Sequence, residues 1–111
     1  MKRSTEDLIN YRIQRAYESL EEAKILSKAE HWNTVANRLY YSGFYIVNAL
    51  FSKNGLTAST HSGVKSEFHK LFIKTGIFDK SIGQHYSRLF DLRQEGDYQD
   101  FIILKKKKSN H

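Results

Sequence analysis

Residues 33–53 read NTVANRLYYSGFYIVNALFSK, and this stretch decides the fold. On a helix at 100° per residue, its polar side chains fall within an arc of about 80°. This polar stripe comprises Thr34, Arg38, Tyr41, Tyr45, Asn48 and Ser52. The opposite side is apolar, so we predict a central helix with most of its circumference buried. The Asn54-Gly55 pair that follows is typical of a left-handed C-terminal cap.

Three further helices are delimited by capping residues and by apolar residues at helical spacing. Their predicted limits are Ser4 or Thr5 to about Ala29, Ser59 or Thr60 to Thr75-Gly76, and Asp79 to Gly96. The absence of proline suits long uninterrupted helices. Links of roughly two to eight residues favour antiparallel neighbours. The predicted fold class is therefore all-α, an antiparallel four-helix up-and-down bundle.

The end of the sequence fits this bundle less well. Residues 101–104 are Phe-Ile-Ile-Leu, and residues 105–108 are four lysines. We predict one helical domain over residues 1–101 and a basic tail over 102–111, with a short or missing C-terminal helix. The apolar run either packs back on the bundle, pairs with another chain, or marks a chain that ends early.

Charge and composition exclude several classes of function. The formal charge is +6, but without the four terminal lysines 14 basic residues face 12 acidic ones, a net of +2. The absence of cysteine excludes disulfides, thiol nucleophiles and cysteine-based zinc sites. His69 and His85 have no carboxylate at ligand spacing, so no metal and no cofactor are predicted. With no membrane-length apolar run and no signal-peptide pattern, we expect a cytoplasmic protein.

A polar stripe on an otherwise buried helix must face a cleft, a partner or an internal polar network. The purely structural interpretation pairs Arg38 with an acid such as Asp97 or Glu95. In that case the tyrosines bury their rings and hydrogen-bond their hydroxyls.

Four motifs carry a resemblance to a known family. They are residues 37–45 (NRLYYSGFY), 60–64 (THSGV), 74–76 (KTG) and 92–98 (LRQEGDY). In this order, and over residues 8–101, the chain resembles the bacterial branch of the HEPN family, the higher-eukaryote and prokaryote nucleotide-binding domains. The resemblance implies an all-α bundle that dimerises along its second and third helices. It also implies a minimal nucleotidyltransferase as partner in toxin-antitoxin modules, and metal-independent ribonuclease activity in the active members.

The family's catalytic signature is an Arg followed, after four to six residues, by a His. Arg38 matches the Arg, but the His position holds Gly43 in one register and Tyr45 in the other. A tyrosine with an ordinary pKa near 10 is about three units too weakly ionised at pH 7 to act as base, a handicap of roughly 4 kcal/mol unless Arg38 lowers that pKa. Tyr45 also has the spacing of the tyrosine that accepts a nucleotidyl group in some family toxins.

The remaining candidates lie on the third and fourth helices. His61 begins the third helix, where it and Ser62 can meet an anion beside free backbone N–H groups; the alternative is a capping or surface role for His61. Arg93 and Asp97 have the spacing of an intrahelical ion pair. The resemblance implies that these two residues and Tyr98 lie near the cleft and order Arg38.

Three functions follow from these observations. The first is a homodimeric domain that binds nucleotide or RNA with attenuated or absent nuclease activity. Its candidate binding residues are Arg38, Tyr41, Tyr45, Asn48, His61 and Ser62, with Arg38 and Tyr45 as the candidate catalytic pair. The second is an active toxin-type ribonuclease in which Tyr45 or His61 replaces the missing base. The third is an interaction module without a ligand.

Overall fold

The computed structural model describes residues 4–109, which form four α-helices and no strand. Helix α1 is Thr5–Lys28, α2 is Trp32–Lys53, α3 is His61–Phe68, and α4 is Lys80–Ser109. A π-helical turn, His69–Ile73, continues α3. The predicted all-α fold class is confirmed.

The predicted caps account for most of the helix ends. The Ser4 hydroxyl accepts from the Asp7 N–H at 3.0 Å, and the Thr60 hydroxyl accepts from the Gly63 N–H at 2.9 Å. Gly55 and Gly76 follow α2 and the π turn with φ of 69° and 78°, backbone angles that glycine adopts without strain. The local sequence therefore delimits α1 to α3 to within a few residues.

The predicted end of the fourth helix at Gly96 is wrong, because α4 continues to Ser109. Gly96 is buried against the Asn33 side chain, so at this position glycine permits close packing rather than ending the helix. The division predicted at residue 101 falls inside α4. Phe101, Ile103 and Leu104 are each more than half exposed, so these three side chains do not pack back on the bundle. Residues 110 and 111 of the predicted tail lie outside the described residues.

Helix α2 is central, as its sequence predicts. It contacts α1, α3 and α4, whereas α1 contacts α2 alone among the described elements. Asn33 of α2 meets Gln99 and Asp100 of α4, and Gly43 meets Tyr86, so α2 and α4 run antiparallel. The core between them is mainly aromatic; its buried members are Tyr40, Val47, Phe51, Val64, Phe68, Phe72, Tyr86 and Phe90.

The π turn brings α3 against α4. The His69 carbonyl accepts from the Lys74 N–H at 2.8 Å, and the His69 Nε2 atom is hydrogen-bonded to the Ser87 hydroxyl at 2.9 Å. Gly83 of α4 is buried directly against the His69 and Ile73 side chains. This close approach fixes the position of α3, and with it His61, relative to α2 and α4.

Candidate functional site

Arg38 points from α2 toward α1. Its Nη1 donates to Glu22 at 3.1 Å, while its Nε and Nη2 donate to the neighbouring Asn37 side chain. Arg38 therefore pairs with an acid, as the structural interpretation predicts, but this acid is Glu22 on α1 rather than Asp97 or Glu95. The Arg38 side chain keeps 23% of its surface exposed, and Glu22 keeps 48%. This ion pair is open to water, so a stronger anion can displace it at low cost.

Tyr41 is the residue on which three of the candidate side chains converge. The Arg38 guanidinium lies over its ring, 5.3 Å from the ring centre, and the Arg93 guanidinium lies 5.9 Å from that centre. His61 meets the same ring edge to face at 5.7 Å. Three helices thus contribute to one cluster. We call it the Tyr41 cluster, and its members are Arg38, Tyr40, Tyr41, Phe44, His61 and Arg93.

His61 is the first residue of α3, and its imidazole is held on two sides. Its Nδ1 is hydrogen-bonded to the Tyr40 hydroxyl at 2.8 Å, and its ring lies 4.6 Å from the Phe44 ring centre to centre. Thr60 provides the side-chain cap of α3, so His61 is free of that role. Burial, followed by the positive charge of Arg93, lowers the pKa of His61 below its usual range. The neutral imidazole is therefore favoured at pH 7.

Tyr40 was not among the candidates from the sequence, although it orients His61. It is fully buried, and this burial raises the pKa of its hydroxyl. Its apolar surroundings made it a core residue in the sequence pattern. The available signal was its tyrosine hydroxyl, because a buried hydroxyl requires a hydrogen-bond partner.

The C-terminal half of the polar stripe contacts α1. It consists of Tyr45, Asn48 and Ser52. The Arg15 guanidinium lies over the Tyr45 ring at 5.4 Å and pairs with Glu18 at 2.7 Å. These two partners, Glu18 first, raise the pKa of Arg15. Tyr45 touches the cluster through ring contacts with Tyr41 at 6.3 Å and with its neighbour Phe44 at 6.4 Å. The guanidinium beside Tyr45 is therefore that of Arg15, whereas Arg38 lies beside Tyr41.

Asn48 is held by hydrogen bonds within α2 and from α1. Its side-chain amide donates to the backbone carbonyl of Phe44 at 2.8 Å. The backbone carbonyl of Asn48 accepts from the Arg12 side chain at 3.2 Å. Arg12 also donates to the Ser52 hydroxyl. Arg12 and Arg15 were missed because their contacts with α2 span more than 25 positions of sequence. The only sequence signal was their position beside the apolar stripe of α1.

The predicted pair on α4 is present. Arg93 Nη1 lies 3.4 Å from the Asp97 carboxylate, and the Arg93 guanidinium lies over the Tyr40 ring at 5.0 Å. Tyr98 is 66% exposed, and Ser62 next to His61 is exposed as well. Arg93 therefore reaches the Tyr41 ring, which Arg38 also contacts. In the described part of the chain, Tyr98 makes no contact with Arg38.

A separate apolar groove of about 400 Å³ lies between α2 and α4. Its lining includes Ile46, Leu50, Phe78, Ile82 and Leu89. It contains no member of the Tyr41 cluster. Its surface is almost entirely apolar, so it offers packing rather than chemistry.

Two further observations concern metal ions and membranes. In residues 4–109, no three or more acidic or histidine side chains are grouped closely enough to bind a metal ion. None of the described helices is long and apolar enough to cross a membrane.

Comparison with known proteins agrees with the all-α fold. A model of the HEPN domain matches residues 9–109. A Thermotoga maritima protein named "UPF0332 protein" is 43% identical over 97 residues, 87% of this chain and 74% of the relative. A Methanocaldococcus jannaschii protein named "Putative toxin MJ0142" is 34% identical over 99% of this chain and 72% of its own length. A second from that organism, "Putative toxin MJ0605", is 30% identical over 78% of this chain and 64% of its own length. No solved structure matches significantly. The family model covers nearly all of the bundle, and the chain belongs to the HEPN domain family.

Proposed function

We propose that this domain binds a nucleotide or RNA at the Tyr41 cluster, with nuclease activity attenuated or absent. The observation that carries the proposal is the convergence of Arg38, Arg93 and His61 on one tyrosine ring from three different helices. Guanidinium groups suit phosphate because their N–H donors are planar and fixed, and aromatic rings beside them accept bases by stacking.

Attenuated activity is expected because the position of the family's catalytic histidine holds a different residue. Tyr45 stands there, and its ring lies under Arg15 rather than Arg38. RNA cleavage by the 2′-hydroxyl needs a base that is ionised near neutral pH, together with a cation for the phosphate oxygens. Arg38 can supply the cation. An ordinary tyrosine is a weak source of the base.

The assembly that we propose is a homodimer that operates in a toxin-antitoxin module with a minimal nucleotidyltransferase. Two relatives named as putative toxins support the toxin-like module. The apolar groove supports a protein partner, since Ile46 and Ile82 on its rim are 46% and 44% exposed. Light scattering of the purified chain, alone and mixed with such a nucleotidyltransferase, measures the mass of each assembly. A monomer under both conditions contradicts this part of the proposal.

Arg38→Ala tests the binding site. We expect it to weaken AMP and RNA binding by about 10-fold to 100-fold, because a charged hydrogen bond contributes about 1.5–3 kcal/mol. Isothermal titration calorimetry measures the affinity. Arg88→Ala is the matched control, because Arg88 is an exposed arginine outside the Tyr41 cluster. Equal affinities for Arg38→Ala and the wild type would refute the site.

The second candidate function is an active metal-independent ribonuclease, and the position of His61 favours it. In this role the His61 Nδ1–H donates to the Tyr40 oxygen, and Nε2 takes the proton of the 2′-hydroxyl. The 2′-oxygen then attacks the neighbouring phosphorus, the bond from phosphorus to the 5′-oxygen breaks, and the 5′-oxygen takes a proton from water. The product carries a 2′,3′-cyclic phosphate, and His61 returns its proton to water. Arg38 stabilises the charge on the phosphate oxygens.

This candidate predicts cleavage of single-stranded RNA in the presence of a chelator. His61→Gln should reduce the cleavage rate at least 100-fold, in keeping with the usual contribution of general base catalysis. Gel analysis of end-labelled RNA measures the rate, and Arg88→Ala is again the control. Intact RNA at micromolar wild-type protein, together with AMP binding, favours the attenuated domain.

A further inference from the structure

Arg93 is held in an unusual environment for a charged side chain on a surface helix. Its side chain is only 15% exposed, and its guanidinium packs against the rings of Tyr40 and Tyr41. Its Nε is buried and has no hydrogen-bond partner among the described residues. A buried donor without a partner is costly, so the hydrogen bonds in the described part of the chain do not fully satisfy this guanidinium.

The carboxylate that faces Arg93 is a weak partner. The Asp97 carboxylate lies 3.4 Å from Arg93 Nη1, one helical turn further along α4. Its side chain is 56% exposed. Such a pair stabilises the helix only weakly, because water screens the exposed carboxylate. Since Asp97 is open to water, its contact with Nη1 also marks the end of the guanidinium that reaches the surface. A ligand phosphate can replace this carboxylate at little cost.

Arg93 and Arg38 reach the same ring from different helices. Two guanidinium groups on one tyrosine repel each other, and each has only an exposed carboxylate to offset its charge. The two guanidinium groups therefore lie against one aromatic ring, and each is paired with a carboxylate that water can reach. Two cations beside one aromatic ring can contact two phosphates of a strand whose base lies against that ring.

We propose that Arg93 is a second phosphate-binding cation, and that with Arg38 it selects single-stranded RNA of two or more nucleotides over a mononucleotide. This inference rests on the proposed function and specifies its ligand. A nucleoside diphosphate also carries two phosphates, but its two phosphates are adjacent. In consecutive nucleotides a sugar separates the two phosphates and carries a base. This spacing matches cations that approach from α2 and α4.

The test compares AMP, ADP and the RNA pentanucleotide of adenosine. For the wild type we expect the pentanucleotide to bind at least tenfold more tightly than AMP or ADP. In Arg93→Ala, the pentanucleotide affinity should fall about tenfold, and the AMP affinity should fall less. The slope of log affinity against log salt concentration should also shrink by about 0.7, the value for one phosphate contact on a single strand. A merely structural role of Arg93 would leave this slope unchanged.

Two further variants keep the test independent of folding. Arg93→Lys retains the charge, so it should retain most of the salt slope. Asp97→Asn removes the competing carboxylate, so it should strengthen pentanucleotide binding. Arg88→Ala serves as the control on α4, and circular dichroism melting checks that each variant is folded.

The outcomes separate this inference from the proposed function. If AMP binding depends on Arg38 while the pentanucleotide salt slope is the same in the wild type and Arg93→Ala, the role of Arg93 is refuted and the site stands. If ADP binds to the wild type as tightly as the pentanucleotide does, the assignment to RNA is refuted. If neither AMP nor RNA binds to the wild type, the proposed function itself fails.

Discussion

Phe51→Ala is expected to lower the free energy of unfolding by about 3–5 kcal/mol, the usual cost of removing a buried phenylalanine. Phe51 is 1% exposed and lies 6.1 Å from the Phe72 ring, centre to centre. It thereby joins α2 to the π turn that follows α3. Because a domain of this size has a total stability of about 5–15 kcal/mol, the variant is expected to be close to unfolding at 37 °C. Urea denaturation followed by circular dichroism measures the change.

The control for this variant is Phe101→Ala. Phe101 is 58% exposed on α4, so its removal should change stability by no more than about 0.5 kcal/mol. A loss below about 1 kcal/mol for Phe51→Ala, or equal losses for both variants, would show that the aromatic core is not where the stability is concentrated.

Gly83→Ala is expected to destabilise the domain although alanine is the better helix former. An added Cβ would lie 2.9 Å from His69 Cε1 and 3.1 Å from two carbon atoms of Ile73. The His69 ring cannot turn away without losing its hydrogen bond to Ser87. Overpacking costs about 1–3 kcal/mol, and helix propensity returns up to about 1 kcal/mol. The expected net loss is therefore about 1–2 kcal/mol, measured by thermal or urea unfolding.

Gly96→Ala is the matched control on the same helix. Its Cβ would lie 3.5 Å from the Asn33 side chain, an ordinary contact distance. Here the gain in helix propensity is unopposed, so we expect stabilisation by up to about 1 kcal/mol. Opposite signs for the two substitutions support the close approach of α4 to the π turn. Stabilisation by both would mean that this approach is looser than described.

The helices could be predicted from the sequence because their signals are local. Ser4, Thr60, Gly55 and Gly76 act on the backbone within a few residues, and their effects do not depend on the rest of the chain. Gly96 carries the same local signal as a terminating glycine. Its real role depends on Asn33, more than sixty positions earlier, and a local pattern contains no information on that contact.

The candidate site was predictable in part for the same reason. Arg38 and Tyr41 belong to one helix, and their spacing alone places them on one face. The acid that pairs with Arg38 could not be chosen, because several acids were available and only the packing of α1 brings Glu22 within reach. The contact between His61 and Tyr40 likewise depends on the direction in which the α3 helix starts, which the loop before it decides.

The attachment of α1 to α2 alone has a consequence for native-state fluctuations. Its buried residues are the small Ala16, Ser19 and Ala23, which let α1 pack closely on α2 and on no other described element. Because α1 has a single neighbouring element, it can separate from α2 in a sub-global unfolding event that leaves the aromatic core of α2, α3 and α4 in place. The same event separates Glu22 from Arg38 and Arg15 from Tyr45. Any ligand that competes with Glu22 for Arg38 is thus thermodynamically linked to the opening of α1.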